Sequence, residues 1–431
     1  MNIVIIGNGI TGITCARNIR KLDSKASITV ISGESEHFFS RTALMYIYMG
    51  HMKFEHTKPY EDWFWNKNRI NLIRAFVKTL NTKDKILLLE NGESIAYDKL
   101  IIASGSIPNK FGWPGENLHG VQGLYSIQDL EQMERNTKNI SSAVLIGGGL
   151  IGIEMAEMLH SRKIAVKMLV RENFYWGNIL PREEAQLIGK HISGHGINLH
   201  FNTELKEIIS DDQDHVAGVL TNTGEKFQCQ FVGLTAGVKP NIGFLEKNEL
   251  ETDRGILINE YFETSIPDIY AAGDCAQFRN PKPGEPAVEQ LWYTGKMQAE
   301  TLARTICGDK STYNRGIWFN SAKFFDLEYQ TYGQVLPEIN DQQKSFYWEH
   351  PNGKHSFRAN YSSKDESISG FNFIGIRFRQ IIAEEWIRER KTIGFVIQNL
   401  KKGWFDPEFS KAHYNDISNS YLHSLKNGND E

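Results

Sequence analysis

Short apolar runs that stop abruptly at glycine recur along the chain, and they set its predicted elements. Ile3 to Ile6 is continuously apolar, ends at Gly7, and gives way to helical spacing through Ala16 and Ile19. Such a run before a 3.6-residue period predicts a buried strand, a tight turn and a helix. Ala26 to Ser32 predicts the next strand. Ala143 to Ile146 repeats the device, with Met155, Ala156 and Leu159 marking the following helix. A fourth strand, Ile269 to Ala272, stops at Gly273-Asp274, and helical spacing resumes only near Gln290, running from Met297 to Ile306. Strand and helix alternating in this way predict an α/β fold with parallel sheets.

The turns carry the candidate chemistry. Gly7-x-Gly9-x-x-Gly12 lies between strand and helix. There the first glycine permits the turn, the second lets backbone approach a pyrophosphate, and the third lets helix pack on strand. The helix N-terminus then offers unpaired N–H groups to the anion. Near the end of the second strand, where an acid would grip ribose hydroxyls, stand Ser32 and Glu34. Glu34 is the expected ribose partner, the alternative being a solvated surface glutamate. The same motif recurs as Gly147-x-Gly149-x-x-Gly152. At its acid position stands Val170, followed by Arg171 and Glu172. Arginine suits the extra phosphate of NADP, so NADPH is preferred over NADH, and Glu172 keeps the choice open. Asp274, at the end of a strand, can accept a hydrogen bond from a ribityl hydroxyl or reach a pyrophosphate.

Composition narrows the class. The 431 residues are 40% hydrophobic and 23% charged, with a net charge of −4. That implies a soluble globular chain of two or three domains and disfavours nucleic acid as a partner. No apolar run approaches the ~18 residues of a membrane span, and "MNIVIIGNGI" lacks the basic flank of a signal peptide. A cytoplasmic location and no membrane partner are therefore expected. The four cysteines, Cys15, Cys229, Cys275 and Cys307, form no C-x-x-C pair, so neither disulfides nor a structural zinc is expected.

In order along the chain come "GNGITG", "IIASGSIP" from Ile101, "GGGLIGIE", "TAGVKPN" from Thr235 and "IYAAGDCA". Over about residues 1–335 the chain thus resembles the FAD-dependent pyridine nucleotide-disulfide oxidoreductase superfamily. Within it the resemblance is to the rubredoxin and ferredoxin reductase, nitrite reductase flavin-domain and NADH oxidase branches. The resemblance implies two Rossmann-like dinucleotide-binding domains. The FAD domain is discontinuous, residues 1–110 and 240–312, with an NAD(P) domain, 111–239, inserted. A C-terminal α+β interface domain, 313–431, follows, and a homodimer is an option. It also implies FAD contacts from Ala103, Ser104 and Gly105, from Gly273 and Asp274, from Glu289 and Gln290 before the last helix, and from Trp318 beside Phe319. Gly237 and Glu154 are implied to lie near the nicotinamide nucleotide; Glu154 reads equally well as an early-helix acid favoured by the dipole.

"FFSRTALMYIYMG", from Phe38, falls where relatives keep a redox-active cysteine or a lysine beside the flavin. Here Arg41 takes the cysteine position and Tyr46 the lysine position. Arg41 is expected as an anion clamp for FAD, or else as a solvated helix-turn arginine. By resemblance, hydride would pass from nicotinamide to flavin N5, and electrons would leave without a cysteine intermediate. The leading acceptor is a small rubredoxin- or ferredoxin-like carrier. Direct reduction of oxygen or a quinone is one alternative; a flavin redox sensor or assembly protein resembling apoptosis-inducing factor is another.

Three features read as structural. His191, His195 and His200 invite a metal by spacing, but "SGHG" interrupts the helical face and no third ordered ligand follows, so no metal is expected. "IRFRQIIAEEWIRERK" predicts an amphipathic helix whose Arg377, Arg379, Arg388, Arg390 and Lys391 mix with Glu384, Glu385 and Glu389, a solvated face before a carrier-docking one. The tail from Gly403 ends polar and is expected to fray.

Overall fold

The computed structural model describes residues 1–246, 248–405, 408 and 411–427. The chain divides into two compact units. The first comprises Met1–Gly112, Glu116–Ile140 and Gly233–Arg315; the second comprises Trp113–Gly115, Ser141–Val232 and Gly316–Glu431.

The first unit is built on a five-stranded parallel sheet. Strand β1 (Asn2–Ile6) lies at its centre, flanked by β2 (Ser27–Ile31) with β3 (Ile70–Ile73) beyond it, and on the other side by Lys99–Ile102 and then Ile269–Ala271. Both faces of a parallel sheet are covered, which is why β1 is apolar without alternation. Ile3, Val4 and Ile5 are fully buried. Helix α1 (Ile10–Leu22) connects β1 to β2 and buries Ile13, Cys15, Ala16 and Ile19. The helix Trp292–Ile306 packs beside it so closely that a Cβ on Gly295 would lie 2.6 Å from Thr11 Oγ1.

In the second unit, Ser142–Ile146, Ala165–Leu169 and Asn198–His200 form parallel neighbours, with the helix Leu150–Ser161 between the first two. A five-stranded antiparallel sheet follows, in the order Phe319–Phe324, Leu327–Gly333, Ile368–Ile374, Ser356–Ser362, Gln343–Glu349. Phe357, Phe371 and Phe373 are its fully buried core, and Phe373 stacks on Phe378 at 4.4 Å. A buried ion pair ties this sheet to the helix Arg182–Gly194: Arg358 Nε donates to Glu184 at 2.6 Å, and Nη2 to Glu183 at 2.7 Å. Burial pushes the Glu184 carboxyl upward, against the pull of Arg358.

Parallel sheets of this kind make the fold the expected α/β, Rossmann-like one, with an α+β C-terminal region. The basic stretch is helical only over Gln380–Arg388. Its first four residues lie between the strand Ile368–Ile374 and the helix, with Ile376 and Phe378 buried in the core. Three of its five cations are paired, Arg377 with Glu328, Arg390 with Asp365, and Lys391 with Glu389. Residues 406, 407, 409, 410 and 428–431 of the tail lie outside the described residues. Between them Tyr414–Asn427 is a helix with Ile417 and Tyr421 buried. Among the described residues, no helix is long and apolar enough to cross a membrane.

Candidate dinucleotide sites

The first glycine loop separates packing from binding. Gly7 sits at φ +105°, its N–H donates to Ile31 O at 2.8 Å, and a Cβ there would lie 2.1 Å from the Ala103 carbonyl oxygen. A Cβ on Gly12 would come within 1.9 Å of Gly7 O. Gly9 is different: a Cβ on it would meet nothing within 4 Å. It is the N-cap of α1 and, having no side chain, supplies no capping hydrogen bond. The helix Ile127–Asn136 shows the contrast, since Ser126 and Asp129 close its N-terminus with a capping box. An uncapped N-terminus beside open space leaves N–H groups for an anion such as a pyrophosphate, and so fits a dinucleotide.

Beyond β2 the candidate ribose and anion contacts are joined to each other. Arg41 donates to both oxygens of Glu34, at 2.7 and 2.6 Å, and to the Tyr125 carbonyl. Its guanidinium lies 4.4 Å from the centre of the Tyr125 ring. Glu34 also accepts the Ile127 N–H at 3.0 Å. Glu34 and its charge push the Arg41 pKa up against the opposing effect of burial. Ser32 turns inward to donate to Asn8 Oδ1 at 2.9 Å.

Ala103, Ser104 and Gly105 follow the strand Lys99–Ile102. Ser104 Oγ donates to Asn241 O at 2.7 Å, and Gly105 is at φ +72°. Asp274 follows Gly273 and forms the centre of a polar chain. Its Oδ2 accepts from Ser106 Oγ at 2.9 Å and from Tyr125 OH at 3.2 Å, and Ser106 Oγ in turn accepts from Gln290 Nε2 at 2.9 Å. Burial raises the Asp274 pKa, while these donors and Arg41 lower it. Ser106 and Tyr125 were missed in the sequence, where nothing local links them to a residue about 150 positions away. Glu289 is buried and already held by Gln298, Tyr313 and Arg315. Gln298 reaches from that carboxylate to the Gly273 N–H. Tyr46 lies on the short helix Leu44–Tyr48, its ring stacked over His51.

The second loop repeats the first in outline. Gly147 is at φ +113° and donates to Leu169 O, and Gly149 is the N-cap of Leu150–Ser161, with no side-chain capping bond of its own. Gly152 is buried on the first turn of that helix. Tyr175 OH, a further residue the sequence did not flag, donates to Gly149 O at 3.0 Å and fixes the turn. Glu154 lies on the same helix, its pKa pushed up to about 7 by burial, with Glu157 adding to the shift. Arg171 is exposed, and its Nε donates to Glu172 Oε1 at 2.9 Å. Gly237, expected beside the nicotinamide nucleotide, belongs to the first unit, at φ +87° next to Asn109. Trp318 belongs to the second, its carbonyl accepting from Gly333 N–H at 2.7 Å.

All four cysteines are free thiols; Cys15, Cys229 and Cys275 are buried and Cys307 is partly so. Burial raises every one of their pKa values, that of Cys229 to about 12. Buried thiols so protonated are poor nucleophiles.

Two glycine loops, each ending a parallel strand and opening an uncapped helix, define a protein built for two dinucleotides. Residues 1–299 match the pyridine nucleotide-disulphide oxidoreductase family, and the chain belongs to it. It is an oxidoreductase that uses FAD and NAD(P)H. Relatives include an NADH-rubredoxin oxidoreductase of Clostridium acetobutylicum, 29% identical over 72% of this chain and 76% of that one. Another is a rubredoxin-NAD(+) reductase of Pseudomonas putida, 27% identical over 72% and 80%. A ferredoxin reductase structure from Rhodopseudomonas palustris shares the fold, with TM-score 0.78 and 23% identity over 87% of this chain and 91% of that one.

Proposed function

We propose that the chain carries electrons from NAD(P)H through FAD to a small electron-carrier protein of the rubredoxin or ferredoxin type, with no cysteine in between. The observation that carries this reading is the state of the thiols: all four are free, three are buried, and burial pushes the pKa of each upward. Relatives named for rubredoxin support the class of acceptor.

In this reading residues 1–110 and 240–312 hold FAD, 111–239 hold NAD(P), and 313–431 form the interface domain, where a homodimer would form. The N-terminus of α1, with Gly7, Gly9 and Gly12, would receive the FAD pyrophosphate. Ser32, Glu34 and Arg41 would line the adenosine side; Ala103, Ser104, Gly105, Gly273, Asp274, Glu289 and Gln290 would line the flavin side, with Trp318 added from the C-terminal region. Gly147, Gly149 and Gly152 would receive the second pyrophosphate, with Glu154 and Gly237 near the nicotinamide and Arg171 on the 2′-phosphate. Bound FAD would supply the two-electron acceptance and stepwise donation that no side chain here can. The protein's part is orientation and charge: Ser106 and Tyr125 hold the Asp274 carboxylate where it would accept a hydrogen bond from a ribityl hydroxyl.

The test is acceptor choice. With NADPH and then NADH, turnover is compared on a rubredoxin, a plant-type ferredoxin, a quinone and oxygen. The reading expects one carrier protein to outrun oxygen and quinone by at least about tenfold. Equal or faster turnover on oxygen alone would replace the carrier with a small molecule.

A further inference from the structure

We infer that His191, His195 and Asp326 form a binding site for a divalent transition cation of the zinc type, within the second unit and independent of the nucleotide chemistry. The expected break of the helical face at SGHG does not separate His191 from His195, since the helix runs to Gly194, and a third ligand is present. That ligand comes from a remote turn between Phe319–Phe324 and Leu327–Gly333.

His191 and His195 lie one helical turn apart at the end of Arg182–Gly194, so both rings leave the same face. Asp326 Oδ1 is 2.8 Å from His191 Nε2 and 3.3 Å from His195 Nε2. The three ligand atoms all lie within 4.8 Å of one another. Bonds of about 2.0–2.1 Å in a tetrahedral site set ligand atoms roughly 3.3 Å apart, so only small side-chain rotations are needed.

The ring orientations leave both Nε2 atoms facing Asp326. His195 Nδ1 lies 3.0 Å from the His191 carbonyl oxygen, which can only accept, so Nδ1 carries the proton. Nε2 therefore faces the Asp326 carboxylate, where either a proton or a metal cation can bridge the two. The His191 side chain is nearly enclosed, and its Nε2 faces Asp326 Oδ1 at hydrogen-bonding distance, though not in hydrogen-bonding geometry. The His195 ring lies flat against Phe325, with centroids 4.3 Å apart and planes 13° apart. Lys354 Nζ, 3.7 Å from the other oxygen of Asp326, is the competing cation. Two imidazoles and a carboxylate suit zinc and its neighbours, with the fourth position left to water. A bound ion would pin the end of this helix to the hairpin.

Chelator-treated, tag-free full-length protein is titrated with Zn²⁺ by calorimetry and with Co²⁺ by visible absorption, alongside His195→Gln, Asp326→Asn and Lys354→Ala. Flavin content and circular dichroism confirm that each variant is folded. The expected result is one ion per chain, visible bands of a four-coordinate Co²⁺ site, and a zinc-dependent rise in Tm. His195→Gln and Asp326→Asn abolish the bands and weaken zinc at least about tenfold. Lys354→Ala tightens it by up to about fivefold. No stoichiometric binding, or binding that both ligand variants leave intact, overturns the site. Intact binding would direct the search to the separate group His350, His355 and His413.

Discussion

The two glycine loops begin alike and end differently. Each opens at a positive-φ glycine and runs into an uncapped helix. After the second strand of each, an arginine is paired with a glutamate. In the first unit Arg41 and Glu34 are half-buried, joined by two hydrogen bonds, and tied to Tyr125 and Ile127 backbone. In the second Arg171 and Glu172 are sequence neighbours, and the arginine is 71% exposed. The first pair is a fixed part of the fold, whereas the second can re-form around a ligand at almost no cost to stability. That is the difference expected between a site for a resident cofactor and one for a nucleotide that binds and leaves each cycle.

Substitutions should separate the two loops by size of effect. The largest is Gly7→Ala, which places a Cβ 2.1 Å from a carbonyl oxygen at a left-handed φ. It should cost about 3 kcal/mol or more and leave little soluble, flavin-loaded protein, read as flavin absorbance per chain. Arg41→Ala comes next. It strands a half-buried carboxylate, and urea unfolding should show a loss of about 2 kcal/mol with reduced flavin content. An effect no larger than that of Arg171→Ala would erase the contrast.

Glu154→Gln has a pH signature. The ordinary carboxyl value of 4.5 is raised to about 7 in the native state, so the folded chain holds a proton that the unfolded chain has released. Stability should therefore fall as pH rises through that window. The glutamine variant should lack this fall, unfolding at higher urea than wild type at about pH 8 and at the same urea near about pH 4. Smallest in stability is Arg171→Ala, within about 0.5 kcal/mol of wild type. Its effect should appear in kcat/KM, where NADPH loses roughly tenfold relative to NADH. An unchanged ratio would remove Arg171 from the phosphate site.

What the sequence made legible follows from range. Strand, turn and helix are local, and Ile3 to Ile6 before Gly7 states all three within ten residues. The roles of Gly7 and Gly12 were equally local. The partners of a site residue are not: Tyr125 and Ser106 meet Asp274 across 149 and 168 positions. Arg358 meets Glu184 across 174, and Asp326 reaches two histidines on a helix far upstream. Only the packing of strands brings such pairs together. The basic C-terminal stretch misleads for a related reason. Its helical period is real, but Ile376 and Phe378 are drawn into the sheet's core before the helix can start.

The central claim is that electrons pass from FAD to the acceptor without a thiol relay. Its most direct test is anaerobic mixing of flavin-loaded protein with one equivalent of NADPH, and separately NADH. Flavin absorbance is followed while reactive thiols are counted before and after under denaturing conditions. The account expects the flavin band to bleach with the thiol count unchanged at four. Bleaching accompanied by the appearance of new thiols would place a cysteine in the path, and no bleaching with either nucleotide would contradict the assignment outright.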